Sequence, residues 1–168
     1  MSDLVGRTRY NTPQEAFAAR TMPVTETGCL LWTGAVDSSG YGAIRFNGKT
    51  ISTHKYAWER VYGKVPKGMK LDHRCHTPTC ANTDHLRLAT NAQNSQHRLR
   101  AQKDNTSGYR NVYWNKQYQR WYVEIQKNYK KYVFGYYDDI EEAARVAEQK
   151  RLELFGEFAG GDNLWQVS

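Results

Sequence analysis

The chain has 168 residues, room for one domain or two small ones, with 39% hydrophobic, 24% charged and 13% aromatic residues, among them 12 Tyr. No apolar run is long enough to cross a bilayer, and the N-terminal MSDLVGRTRYNTPQEAF has no apolar signal region, so a cytoplasmic protein without a membrane partner is expected. A formal charge of +7 and a pI near 9.3 point to a polyanionic partner: residues 91–135 hold nine Lys/Arg against two Asp/Glu, while residues 136–168 hold three against eight.

In chain order, NTPQEAF (11–17) predicts a helix start, with Thr12 as N-cap and Pro13 at the first helical position. Pro23 and Gly28 bracket a loop, and CLLWTG (29–34) reads as a short strand. Two β-rich runs around Asn47-Gly48 predict a hairpin over 40–53. HKYAWERVYG (54–63) is helical, with Gly63 past its end. Pro66 and Gly68 turn the chain into MKLDH, another strand. Thr90 to Gln93 spells a capping box and predicts a helix over about 91–102. KDNTSG (103–108) is a linker and domain boundary. Three strands follow, at 109–114, 120–126 and 131–137, joined by short connections into an antiparallel meander. The second alternates, with Trp121, Val123 and Ile125 on one face and Arg120, Tyr122, Glu124 and Gln126 on the other. In the final helix Ile140, Ala143, Ala144, Ala147 and Leu154 fall on one stripe that would cover the apolar face of the sheet. The other face would stay open.

The densest chemistry lies in KLDHRCHTPTCANTDHLRLATNAQN (70–94). Phosphodiester hydrolysis needs an activated water and a Lewis acid at the phosphate. Neutral imidazole is a suitable base near pH 7, and a carboxylate beside it can hold Mg²⁺. Asp72-His73 supplies both. Neighbours on a strand point to opposite faces, so this pair serves one site only at a strand end or bulge. Asn94, in the first turn of the helix after Thr90, can aim a carbonyl oxygen at an ion.

These residues resemble the HNH nucleases, most closely the HNH homing endonucleases of phage introns. The similarity runs from roughly Gly40 to His97 and includes NGKTISTHKYAWERVYGKVPKGMKLDH ahead of the motif. It implies a ββα-metal (His-Me finger) fold with His73 as general base. Asp72 and Asn94 would be ligands of one divalent ion, Mg²⁺ or Mn²⁺. His85 stands at the middle motif position, where the family usually has Asn, a residue that braces the loop and orients the base. The alternative is that His85 touches the phosphate or the metal, and Asn82 is a rival for the bracing role. His54 and His97 read more readily as surface or packing residues.

Three cysteines cannot close a disulfide framework, in keeping with a reducing compartment. Cys75 and Cys80 are candidate ligands of a structural zinc that would pin the loop between Asp72 and His85. Cys29 is the candidate third ligand, and His54 or His76 the fourth. The competing reading is free thiols. Hard Asp and Asn oxygens suit Mg²⁺ better than zinc at the catalytic position.

The segments YRNV, WYVEI, FGYYDDIEEAA and FGEFA resemble the DNA-binding domain of the plant ethylene-response-factor family, over about 107–159. In that family the open sheet face reads the major groove. The resemblance nominates Arg110, Tyr113, Asn115, Arg120, Tyr122, Glu124, Gln126 and Lys131 as DNA contacts. It sends Trp114, Trp121, Val123, Ile125 and Phe134 to the core. Tyr113 and Gln126 stand where the family usually places Arg, so the family's target sequence does not transfer.

The expected architecture is α+β: an HNH nuclease domain over 1–102 (motif core 40–102), a linker over 103–108 and a three-stranded antiparallel sheet packed on one helix over 109–168. The expected activity is metal-dependent, site-selective endonucleolytic cleavage of double-stranded DNA by a monomer or weak dimer, in the host cytosol if a phage encodes it. One site per chain predicts nicking, with 3′-hydroxyl and 5′-phosphate ends. The rival readings are a non-catalytic DNA-binding protein with a decayed nuclease site and an RNA-directed nuclease.

Overall fold

The structure is a computed structural model and describes residues 10–161; the outer ends of both expected domains, 1–9 and 162–168, lie outside the described residues. The chain divides into two compact units, one up to Ala89 and one from Thr90 onward. This division falls ahead of the helix that follows Thr90, whereas the sequence places the boundary at 103–108.

In the first unit, helix α1 (Pro13–Ala19) starts as expected: Thr12 Oγ1 accepts from the Glu15 N–H. It leads into strand β1 (Thr21–Val24), which pairs antiparallel with β2 (Cys29–Trp32). The sequence reading expected a loop here. Pro23 is tolerated because a two-stranded ribbon leaves its missing N–H on an open edge. Strands β3 (Ala43–Phe46) and β4 (Lys49–Ser52) form the expected hairpin, and both turn residues, Asn47 and Gly48, take positive φ, 47° and 73°. Helix α2 (Thr53–Tyr62) ends at Gly63, which turns away with φ 81°. Ala16, Trp32 and Ile44 form a small core, with Phe17, Phe46, Ile51 and Tyr56 packed around it. Strand β5 (Lys70–His73) pairs with β6 (Leu86–Ala89), Asp72 opposite Arg87 and His73 opposite Leu86.

In the second unit, helix α3 (Asn91–Gln96) begins with the full capping box: Thr90 and Gln93 satisfy each other's backbone N–H. It stops at His97, well short of the expected 102. The reason is the Arg110 guanidinium, which takes the carbonyl oxygens of Gln96 and Arg98 and so diverts the chain end from helix propagation. Strands β7 (Val112–Asn115), β8 (Arg120–Lys127) and β9 (Lys130–Tyr137) form one antiparallel sheet in that order, with a bulge between Tyr122 and Glu124. Helix α4 (Ile140–Phe155), N-capped by Asp139, covers one face. Val112, Val123, Ile125, Ala143 and Ala147 form the core between them, with Trp121, Phe134, Ile140, Ala144 and Leu154 packed on it. The expected stripe is thus present. Trp114 departs from expectation: it lies on the edge strand β7, is 43% exposed and lies edge-on to Trp121 at 4.9 Å.

Candidate functional site

His73 ends β5 and is buried, as is Asp72 before it. The strand tip is held by the loop beyond it, because Trp32 donates its backbone N–H to Thr79 O and Ala81 donates to Leu30 O. The loop is thereby sewn along β2, and Cys80 O comes to lie 2.9 Å from His73 Nε2. A carbonyl only accepts, so the proton sits on Nε2 and the Nδ1 lone pair of the neutral ring is available as a base. Burial, above all, lowers the His73 pKa from its ordinary value, so the ring is neutral at pH 7. Asp72 Oδ2 accepts from Arg87 Nε at 2.8 Å across the hairpin. That ion pair is largely buried on both sides. A carboxylate with hard oxygens fits a divalent cation such as Mg²⁺. Asn94 lies on α3 in the second unit, partly buried.

Two further rings flank His73. His54, in the first turn of α2, has its ring centroid 4.8 Å from that of His73, and Tyr41 lies 5.1 Å from His54 and 5.8 Å from His73. Burial first, and then His73, push the His54 pKa down to about 4. Sequence reasoning ranked His54 with packing residues. Its only local signal was a histidine set where a capping or acidic residue is usual.

The cysteines converge. Pairing of β2 with the 79–81 loop brings Cys29 to Cys75 and Cys80, and the fourth member is His85: the ligand atoms of the four lie within 4.8 Å of one another. His85 Nδ1 is 3.5 Å from Cys29 Sγ and 3.6 Å from Cys80 Sγ. The fourth candidate ligand is therefore His85, in place of the expected His54 or His76. His54 is taken up against His73, and His76 is not among the four clustered residues. His85, the residue at the middle motif position, sits among the thiols. Asn82 caps the single turn Thr83–His85 through the Asp84 N–H and donates to Gly28 O at 2.7 Å. A hydrogen bond from Cys75 is the main cause that lowers the Cys80 thiol to about 4 and raises Cys75. Three sulfurs and one imidazole nitrogen are the donor set of a closed tetrahedral zinc site, whose sulfur–sulfur edges are roughly 3.8 Å at Zn–S bonds of about 2.3 Å.

In the second unit the open sheet face carries a tyrosine row. Tyr113 meets Tyr122 at 5.6 Å, Tyr122 meets Tyr136 at 5.9 Å, and Tyr118 meets Tyr136 at 5.3 Å. The expected cations on this face are paired. Arg120 makes a two-pronged bond to Asp138 at 2.7 and 2.8 Å, and Lys131 meets Glu124 at 2.9 Å. Asn115 Oδ1 caps the turn to β8 by accepting from the N–H groups of Gln117 and Tyr118, and Gln126 is exposed. A groove of about 650 Å³ borders the face and is lined by Arg98, Arg100, Tyr113, Lys116, Tyr122 and Lys131, among others. Arg110 stands apart from the other nominated contacts, because its guanidinium is engaged by the carbonyls of Gln96, Arg98 and Ala159. His97 packs edge-on to Phe158 at 6.4 Å.

Residues 52–96 match the family model described as HNH endonuclease. Protein 3.8 of Escherichia phage T7 is 34% identical over 111 residues, 66% of this chain and 90% of that protein. The chain belongs to the family of that phage protein, and it carries an HNH endonuclease domain. Protein 7.7 of the same phage is 44% identical over 68 residues, 40% of this chain, and Protein 2.8 is 38% identical over 74 residues, 43% of this chain. The chain spans about half the length of these two, 52% and 50% respectively. No solved structure matches the chain. An HNH domain implies a nucleic-acid substrate, and among the described residues no helix is long and apolar enough to cross a membrane.

Proposed function

We propose that this protein is a metal-dependent, site-selective DNA endonuclease of HNH homing type that nicks duplex DNA. The observation that carries the reading is His73, whose Nε2 is committed to Cys80 O within the matched HNH segment. In this reading His73 Nδ1 takes a proton from the attacking water, and Asp72 with Asn94 would hold the divalent ion; the assignment of Asn94 rests on the family resemblance alone. The ion supplies a Lewis acid at the phosphate. The neutral state of His73 favours proton uptake at pH 7. Cys29, Cys75, Cys80 and His85 hold a structural zinc, separate from the chemistry, that keeps Cys80 O in place behind the base.

The second unit supplies DNA affinity in this reading, as its resemblance to the ethylene-response-factor domain suggests. Tyr113, Asn115, Arg120, Tyr122, Glu124, Gln126 and Lys131 face the duplex, and Arg110 supports them by holding the chain beside β7. Arg120 exchanges its exposed carboxylate partner, Asp138, for a phosphate at little cost, since an exposed ion pair contributes about 0–1 kcal/mol, and the exposed Lys131 ammonium can turn from Glu124 to a phosphate.

The test is conversion of supercoiled plasmid to open circle with Mg²⁺, repeated with EDTA and with His73→Ala. The expected result is loss with EDTA and a fall of roughly 10²–10⁴-fold for His73→Ala. Nicking indifferent to both would refute the assignment, and preference for RNA over duplex DNA as competitor would redirect it.

A further inference from the structure

We propose that His54 is a second catalytic imidazole, which donates its ring N–H to a non-bridging oxygen of the scissile phosphate while His73 accepts the proton of the water. The proposal rests on the nuclease reading above and adds a residue to it.

The chain fixes His54 firmly. Thr53, fully buried, donates its backbone N–H to Gly42 O at 2.9 Å, so the first turn of α2 is tied to the start of β3. There is no room for a side chain at Gly42, because a Cβ would run into Thr53 Oγ1 and the Trp32 ring. His54, the next residue, is thereby held against Tyr41 and His73, half-buried.

The local bonds engage one edge of the ring. Ser52 Oγ lies 3.0 Å from Nδ1 and 3.4 Å from Nε2. A hydroxyl both donates and accepts, so in either neutral tautomer one ring nitrogen of His54 carries an N–H. The surroundings keep the ring neutral. It stands in the first turn of a helix that has no acidic residue there, at the positive end of the peptide dipoles, and it faces a second imidazole. Of the other charged groups around it, Asp37 favours the cation and Lys55 opposes it. The result is a fixed, uncharged donor beside the general base.

Hydrolysis gives such a donor a task. The water oxygen bonds to phosphorus, its proton passes to His73 Nδ1, and the P–O3′ bond breaks, with solvent protonating the 3′ oxygen. Negative charge grows on the non-bridging oxygens as this happens. A preorganised N–H is worth more there than in the ground state, and His54 keeps its proton throughout.

The test compares wild type, His54→Phe and His54→Gln for nicking kinetics, zinc content and melting temperature, with His73→Ala alongside. Each is also assayed on oligonucleotides with a single Rp or Sp phosphorothioate at the mapped cut. His54→Phe keeps a ring of similar size without the N–H and should lose about 10²–10³-fold in kcat with KM little changed. His54→Gln, which places an amide N–H near the same spot, should recover part of the loss. The wild-type preference for one diastereomer should shrink in His54→Phe. Wild-type kcat in His54→Phe would overturn the proposal, as would parallel loss on both diastereomers. So would a Gln variant that folds and holds zinc yet is no faster than Phe. If His73→Ala abolishes nicking while His54→Phe retains it, only the His54 assignment fails. If the wild type does not nick at all, the nuclease reading fails first and takes this one with it.

Discussion

The first unit buries Ala16, Trp32 and Ile44 in one small core and gathers three thiols, two of them buried, with an imidazole in another cluster, whereas the second buries five aliphatic side chains between a sheet and a helix. Both units are small, and a small unit removes a limited share of its surface from water. The second makes up the deficit with a conventional two-layer core. The first does so with backbone stitching and a donor cluster, an arrangement that keeps polar groups near its surface. That difference matters for function: a catalytic base needs a polar, partly wetted neighbourhood held rigidly, and a metal node gives rigidity without a thick apolar layer.

The comparison predicts unequal responses to two kinds of damage. Stripping zinc with a strong chelator, or replacing Cys80 by Ala, should give the largest effect, unfolding of residues 10–89 with the second unit intact. Hydrogen exchange mapped along the full chain reads this directly: protection in β2, β5 and β6 should vanish while that in β8 and α4 stays. Equal loss in both would erase the distinction. The converse is Ile125→Ala. Ile125 is 1% exposed at the centre of the second core, so truncation should cost about 2–5 kcal/mol. Protection should fall in β8 and α4 while bound zinc, measured by elemental analysis, stays unchanged.

A smaller effect distinguishes holding from reading in the second unit. Arg110 donates to Gln96, Arg98 and Ala159 carbonyls, and burial, the main cause, lowers its pKa to about 10. Arg110→Ala should destabilise the second unit by about 1.5–3 kcal/mol. Arg110→Lys should not rescue it, because an ammonium cannot span three acceptors as a planar fork does. Arg120→Ala, by contrast, should leave melting unchanged within about 0–1 kcal/mol and weaken duplex binding. If Arg110→Ala changes binding and leaves melting untouched, Arg110 is a reader after all.

Local signals carried most of the fold. The Thr12 and Thr90 caps, the Asn47-Gly48 turn and the alternation of Trp121, Val123 and Ile125 each depend on neighbours a few residues away, and each is present. What was illegible depended on distant partners. The length of α3 is set by Arg110, twelve or more residues on, through Gln96 and Arg98. The β1 strand carries a proline and exists because Cys29–Trp32 lies beside it. The same holds for the sites. Cys75, Cys80 and Cys29 could be nominated by residue type, but the choice among His54, His76 and His85 required knowing which loop is stitched to β2. No spacing rule places His54 against His73 across eighteen intervening residues.

The histidine pair also predicts how the first unit responds to acid, the mildest of these effects. His54 titrates near 4 in the folded chain, and His73 is shifted in the same direction. Both would titrate near 6.5 when unfolded. Between those values the unfolded chain binds more protons than the folded one, so stability rises with pH there. It is therefore lost progressively as pH falls from about 6.5 to about 4 and is independent of these groups above that window. Because His54 keeps some contact with solvent, its share should be on the order of 1 kcal/mol. The zinc ligands also lose metal in acid, so the measurement has to be a difference. His54→Gln removes one titrating ring and leaves the cluster alone. Its melting temperature relative to wild type should shift upward between pH 7 and pH 5, with the second unit's transition as an internal reference. A constant gap would mean that His54 is already free to charge in the folded protein, and the neutral donor assigned to it would lose its basis.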